Sequence, residues 1–367
     1  MRALLALEDG TIFPGRAFAS AIAAGGEVVF NTAMTGYQEI ITDPSYFGQI
    51  VVFTAPHVGN YGVHEGEDES ARAHAAGVIV REVCETPAHS GATRSLPDFL
   101  REQDRFGLSE VDTRALTLHL RSRGCLRGWL TTAVDHPADA VERARAVPPM
   151  DRVPAVASVS TGKAYEWNPG TGGSHQTPRG DRPRIAVLDC GVKWNILREL
   201  QNRGCEVQVL PAETSFAELE RMGPDGVLLS NGPGDPGALS AWVPRFTRIL
   251  ERYPTLAICL GHQVASLALG CRILKLPFGH HGGNHPVKEI ASGRVLITSQ
   301  NHNYAVDPGH LPEDLSVTHL NLNDGTVEGV RHRSLPLWSL QFHPEAAPGP
   351  HDAAGVFNDF VTTIRRS

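Results

Sequence analysis

Several common signatures are missing from this chain of 367 residues. Its six cysteines (Cys84, Cys125, Cys190, Cys205, Cys259 and Cys271) form no CxxC pair, which argues against a zinc knuckle or a thioredoxin-like site. No uninterrupted apolar run approaches the ~18–20 residues of a membrane helix. The start, "MRALLALEDGTIFPG", does not read as a secretory signal, because Glu8 and Asp9 cut its short apolar stretch. A formal charge of −7 without a basic stripe makes nucleic acid an unexpected partner. No G-x-x-x-x-G-K-[ST] stretch occurs, so the chain shows no Walker ATP site. Internal repeats and low-complexity tracts are also absent. A cytoplasmic protein with free thiols is expected.

What is present is an ordinary globular composition, 41% hydrophobic and 20% charged, and a length that suggests about two domains at ~100–200 residues each. Residues 1–150 read as an α+β domain. "EVVFNTAMTG" and "QIVVFTAPHVGNYG" are β-like runs bounded by Gly, Pro and Asn, and "DTRALTLHLRSRG" is a helix with Asp112 as N-cap and Gly124 as its stop. Residues 151–182, rich in Pro, Gly, Ser and Thr towards their end, read as a linker. In 183–367 strands alternate with helices, which implies right-handed βαβ units and a mostly parallel sheet flanked by helices. Ligands of such sheets sit beyond the carboxyl ends of the strands. Asp189-Cys190-Gly191, Ser230-Asn231-Gly232 and Ile258-Cys259-Leu260 all fall there.

Five cysteines read as small buried hydrophobes, but Cys259 needs its own account. It ends the strand "TLAIC" and a helix begins at once, with the small residues Ala257 and Gly261 on either side. A side chain on such a bend is held out from the sheet, and the helix N-terminus favours thiolate over thiol. A buried core cysteine is the alternative reading. A base is offered by "WSLQFHPEAAPGPH". Proline pushes His343 towards an extended backbone, and if the extension continues, Glu345 shares its face. The carboxylate then orients one imidazole nitrogen and leaves the other for the thiol, the logic of a triad.

Two glycine-rich loops remain. "SNGPGDPG" matches G-x-G-x-x-G at Gly232, Gly234 and Gly237, but Pro233 and Pro236 remove donors that a pyrophosphate cradle uses. A rigid turn presenting backbone N–H groups to a substrate carbonyl fits better. "FGHHGGNHP" carries His280, His281 and His285. A metal site there is disfavoured, since adjacent strand histidines face opposite sides and no acidic or thiol ligand is close in sequence. A turn with glycines at positive φ is expected instead.

"AICLGHQ", "SNGPGDP" and "QFHPEA" together resemble the class I glutamine amidotransferases. "FNTAMTGYQEIITDPSYFGQIV", "PHVGNYG", "DTRALT" and "FGHHGGNHPV" narrow the resemblance to the small subunits of carbamoyl-phosphate synthetases, over nearly the whole chain. The resemblance implies that Cys259 attacks the side-chain amide of glutamine, that His343 handles the protons and that Glu345 holds its ring. It implies oxyanion donors at Leu260 and the Gly232–Gly234 loop, and a glutamine pocket lined by Gln263, Asn301 and Tyr304, with Ser45 of "DPSY" reaching it. It also implies a large partner subunit carrying ATP, magnesium and bicarbonate, with no cofactor on this chain, and carbamoyl phosphate as the product for arginine and pyrimidine synthesis.

The chain departs from the family pattern at Ala257 and Asn303, both usually Gly, and at Tyr304, usually Phe. Asn tolerates a left-handed φ, so the backbone contact of Asn303 with glutamine is expected to survive. Competing readings are a non-catalytic regulatory subunit, against which the intact Cys-His-Glu set argues, and a stand-alone cysteine hydrolase, against which the extra N-terminal domain argues.

Overall fold

Short apolar strands separated by turn residues close on themselves in the first part of the chain, and strands separated by helices stack in parallel in the second. The computed structural model describes residues 1–168 and 182–365. Two units emerge. The first comprises Met1–Ala155, Leu276–Gly283 and Ala347–Gly349, and the second Val156–Lys275, Asn284–Ala346 and the chain from Pro350 onward.

In the first unit the strands are β1 (Arg2–Leu7), β2 (Ile12–Ala17), β3 (Ala24–Asn31), β4 (Gln49–Phe53), β5 (His57–Val58), β6 (Gly77–Ile79), β7 (Glu82–Val83), β8 (Phe106–Ser109) and β9 (Leu126–Thr131). Seven of them form a closed barrel in the order β1-β2-β8-β6-β4-β3-β9, and β5 pairs with β7 separately. The sequence "RALLAL" shows why β1 is buried on both faces. Ala3, Leu5 and Leu7 point into the barrel beside Val28, Ile50 and Leu130. Leu4 and Ala6, on the opposite face as the period of two requires, pack on Ala140 and Val141. The first unit's helices are α1 (Tyr37–Thr42), α2 (Leu96–Glu102), α3 (Thr113–Arg123) and α4 (Pro137–Ala146). The helix expected at "DTRALTLHLRSRG" is α3. Asp112 accepts from the Ala115 amide at 2.9 Å, and Gly124 ends the helix at φ 90°, a conformation that favours glycine.

The second unit begins where a linker was expected. Residues 169–181 of that stretch lie outside the described residues. Before them stand a short helix α5 (Ala155–Val159), whose Val156 joins the core, and strand β10 (Tyr165–Glu166), which pairs antiparallel with a later strand. Elements this short leave no periodicity in the sequence, which is why the reading missed them. There follow β11 (Arg184–Asp189), α6 (Trp194–Asn202), β12 (Glu206–Pro211), α7 (Phe216–Met222), β13 (Gly226–Leu229), α8 (Val243–Arg252), β14 (Thr255–Ile258) and α9 (Leu260–Ala268). The chain ends with β15 (Ile273–Glu289), β16 (Val295–Val306), β17 (Leu315–Asn321), β18 (Val327–His332), β19 (Leu337–Leu340) and α10 (Gly355–Ile364).

The resulting sheet has ten strands in the order β10-β12-β11-β13-β14-β19-β18-β16-β15-β17. The run β12-β11-β13-β14-β19 is parallel, as the alternation of strands and helices predicts. Beyond it β18 is antiparallel to β19, β16 and β17. Each buried strand serves two cores. Leu188, Leu229 and Ala257 meet Phe246, Leu260 and Val264 on one face, whereas Val187, Leu228 and Ile258 meet Leu197, Leu200, Phe357 and Phe360 on the other.

"FGHHGGNHP" is not a turn but the middle of β15. Two of its three glycines do take positive φ, 69° at Gly279 and 152° at Gly282, and they bend a strand instead of reversing it. The part Leu276–Gly283 belongs to the first unit. There Pro277 and His281 offer carbonyls to the amides of Cys125 and Thr32.

Candidate active site

The parallel strands β11, β13, β14 and β19 bring four chain segments to one edge of the second unit. Strand β14 ends at Ile258, and Cys259 caps α9 with φ 53° and ψ −106°. A side chain with a β carbon rarely adopts such a backbone, and the strain of roughly 1–3 kcal/mol has to be offset by its surroundings. The surroundings are specific. The Cys259 amide donates to Leu340 O at 2.9 Å and the Gly261 amide to Ser230 O at 3.0 Å. A β carbon at position 261 would lie 2.1 Å from Leu229 O, so only glycine lets helix and strand come this close. Ala257, by contrast, has its methyl fully buried in the core, and the departure from glycine there is absorbed by packing.

The thiol of Cys259 is 2% exposed. It donates to Asn301 O at 3.4 Å and receives Gln341 Nε2 at 3.7 Å. After β19, the His343 amide bonds Ser299 O at 2.9 Å, and His343 Nδ1 lies 2.6 Å from Glu345 Oε1. The strand extension expected to align these two side chains does not continue. Pro344 and Glu345 form a turn, closed by the Ala346 amide on His343 O at 3.2 Å. The turn delivers the same pairing by curling the carboxylate back under the ring.

The electrostatics follow from burial and charge. Burial opposes ionisation of Glu345, but Lys193 and then His343 outweigh it and hold the carboxyl well below the usual carboxylate range. Burial likewise opposes an imidazolium at His343, yet Glu345 and then Cys259 reverse the sign and hold its pKa well above the ordinary imidazole value. Nε2 of His343 is buried and makes no well-formed hydrogen bond among the described residues, while the sulfur is near enough to act on the ring's charge. This nitrogen is free to take or give a proton at the thiol.

Lys193 was not singled out in the sequence. It sits in the turn after β11, is 2% exposed, and places Nζ 3.0 Å from Glu345 Oε1 and against Ala346 O. The turn is held by Asp189, whose Oδ1 accepts from the Gly191 and Val192 amides at 2.9 and 2.8 Å and whose Oδ2 accepts from the Thr161 amide at 2.7 Å. A lysine after "DCGV" reads as solvated, and its partner lies 152 residues away, so no local signal marks it. His262 was also missed. It is fully buried with Nδ1 2.7 Å from Ser339 Oγ, and burial, reinforced by His319, pushes its pKa down to about 3. It is a neutral tie between α9 and β19.

The remaining candidates divide by place. Leu260 opens α9, where an amide has no partner within the helix. Gly232 follows β13, and a β carbon there would meet Cys190 O at 2.1 Å and the Leu260 side chain at 3.0 Å. The loop thus lies beside the start of α9, with Gly234 at φ 99°. The Gln263 amide nitrogen is engaged with Tyr304 O at 2.9 Å and Gln341 Oε1 at 3.1 Å, and Asn301, Asn303 and Tyr304 are buried on β16. Asn303 has no positive φ. The left-handed tolerance invoked for it is not called on, because an extended strand accepts any side chain. Ser45 is a buried residue of the first unit, in a short turn capped by Asp43, with the Ser45 amide 2.8 Å from Asp43 Oδ1.

Comparison with known proteins covers both parts of the chain. Residues 186–363 match the family model of the class I glutamine amidotransferases, and residues 5–130 match that of the carbamoyl-phosphate synthase small chain. Over full length, the chain is 47% identical to the carbamoyl phosphate synthase small chain of Solidesulfovibrio magneticus, covering 100% of this chain and 99% of that one. It is 46% identical to that of Aquifex aeolicus, covering 98% of each. With that of Escherichia coli K12 it shares 45% identity over 99% of this chain and 97% of the relative. Matched over both parts by these family models and end to end by these relatives, the chain belongs to the carbamoyl-phosphate synthase small-chain family.

Proposed function

We propose that this chain is the glutaminase subunit of a carbamoyl-phosphate synthetase. The observation that carries the reading is Cys259, held at a left-handed bend at the end of β14, with the His343–Glu345 couple close enough for its sulfur to act on the imidazole. In the proposed reaction the thiol proton of Cys259 passes to Nε2 of His343, and the sulfur attacks the side-chain carbonyl carbon of glutamine as a thiolate. The oxyanion that forms is received by the Leu260 amide and the Gly232–Gly234 loop, donors that need no reorganisation at the moment of reaction. The imidazolium of His343 gives its Nε2 proton to the departing nitrogen, the C–N bond breaks, and ammonia leaves a γ-glutamyl thioester. His343, now neutral, takes a proton from water, the hydroxide adds to the thioester, and the C–S bond breaks to release glutamate. Glu345 stays ionised throughout and orients the ring, as the third member of a triad does. Lys193 keeps that carboxylate charged in a buried place.

Ammonia released into water near neutral pH becomes ammonium and loses its nucleophilicity. The reading therefore includes a large partner subunit that binds ATP, magnesium and bicarbonate and receives ammonia under cover. The product would be carbamoyl phosphate for arginine and pyrimidine synthesis. The absence of a Walker sequence in this chain fits that division of labour.

The test is glutamate release from glutamine by the chain and by its Cys259→Ser variant, each with and without the large subunit. Hydrolysis that rises with the partner and vanishes in the variant is expected. Equal rates in the two proteins would remove Cys259 from the mechanism.

A further inference from the structure

One basic cluster in the first unit is used neither by the fold nor by the hydrolytic site. A cup of about 310 Å³ opens where the chain leaves β4 and β6, parallel neighbours whose carboxyl ends lie side by side, and its floor is one face of α3. Arg81, Arg114 and Arg121 line it together with Thr117, Leu118 and Pro56. Arg114, Leu118 and Arg121 are spaced by four and three residues, so they share a stripe of the helix.

All three arginines are exposed, and none of their guanidinium groups makes an ion pair or hydrogen bond among the described residues. The acids nearest in sequence are already engaged. Glu82 pairs with His57 at 3.4 Å, Glu110 with Arg16 at 3.7 Å, and Asp112 caps α3. The local excess of positive charge stands on a chain whose formal net charge is −7. Moreover, Arg114 occupies the second position of α3, a helix with no acidic residue in its first turn. The partial positive charge of a helix N-terminus disfavours a cation there. Helix stability therefore does not explain this arginine. Leu118, between the charges, is left 50% exposed. Arginines around an exposed apolar residue have the make-up of a protein interface, where Arg is enriched and an apolar centre is ringed by polar groups.

We propose that this cup docks an acidic segment of the large synthetase subunit, with an apolar side chain of that segment covering Leu118. The inference rests on the function proposed above. Charge at an interface chiefly speeds encounter and fixes the choice of partner, and it is weakened by salt. The experiment measures the dissociation constant between this chain and its large subunit from 50 mM to about 500 mM salt, for the unaltered chain, for Arg114→Ala/Arg121→Ala and for Arg114→Glu/Arg121→Glu. Affinity of the unaltered chain should fall with salt. The alanine pair should weaken it about tenfold and the glutamate pair about a hundredfold at low salt, with most of the salt dependence gone.

Glutamine hydrolysis by the isolated variants should stay within about twofold of the unaltered chain, since both sites are exposed and outside the second unit. Unchanged affinity and salt slope in the glutamate pair would overturn the docking assignment. So would a variant that loses only self-association in sedimentation, which assigns the face to a second copy. Loss of inorganic phosphate binding with partner affinity intact would assign the cup to a small anion and overturn it likewise. Failure of the unaltered chain to bind the large subunit at all would overturn the functional reading and the docking inference together, and that control separates the two failures.

Discussion

Replacing Glu345 by Gln removes the charge that decides the state of His343 while keeping size and an acceptor oxygen. The imidazole has a pKa held at about 10 against 6.5 for an unperturbed ring. Burial works the other way. Without the carboxylate the desolvation remains, and the ring pKa should fall to 6.5 or below. At neutral pH His343 then rests as a neutral ring, and the imidazolium it forms on taking the thiol proton is neither stabilised nor oriented for handing that proton to the departing ammonia. A positioned acid–base group contributes roughly 10²–10⁴-fold, so kcat should drop by at least about a hundredfold while KM changes less than about threefold. The sign of the pH effect on stability follows as well. A group whose folded pKa is raised stabilises the protein fully below 6.5, and this contribution is lost as pH rises towards about 10. The unaltered chain should therefore lose stability across that window, and the variant should not. Glutamate release between pH 6 and 10 and chemical denaturation over the same range read both effects. Native turnover, or the same alkaline loss of stability in both proteins, would refute the argument.

Three further substitutions probe the framework of the site. Lys193→Met leaves the carboxylate of Glu345 buried with His343 as its remaining charged partner. Breaking such a pair should cost about 3 kcal/mol in denaturant unfolding and reduce kcat, and a loss under about 1 kcal/mol would show that the lysine is dispensable to the fold. Cys259→Gly relieves the left-handed backbone and should unfold at the same or slightly higher denaturant concentration with no hydrolysis. Gly261→Ala, whose methyl would sit 2.1 Å from Leu229 O, should destabilise by at least about 2 kcal/mol, and equal midpoints for these two variants would contradict the strain described at the bend.

Local chemistry made part of the molecule legible beforehand. The parallel half of the sheet announced itself because short apolar strands, their ends marked by turn residues, alternate with helices, among them α7 capped by Ser215. Cys259 was legible for the same reason, as a reactive group at one of those ends. The His343–Glu345 pair was found from the proline between them, although a turn and not a strand brings the side chains together. Long-range pairings were hidden. The barrel closes through β9 against both β1 and β3, and nothing in "LRGWLT" names its neighbours. Glycine and histidine at 278–286 have the composition of a turn, so the sequence points to a turn where β15 runs through. Lys193 was invisible because its ionic partner is set by tertiary structure and because lysine in a glycine turn ordinarily faces water.

The left-handed backbone at position 259 also acts as a filter on which nucleophiles the bend can carry. With φ at 53°, a branch at the β carbon would crowd the preceding carbonyl, and threonine is barred from a place where cysteine and serine can stand. Shape alone thus limits the attacking atom to one on an unbranched side chain, before any substrate arrives.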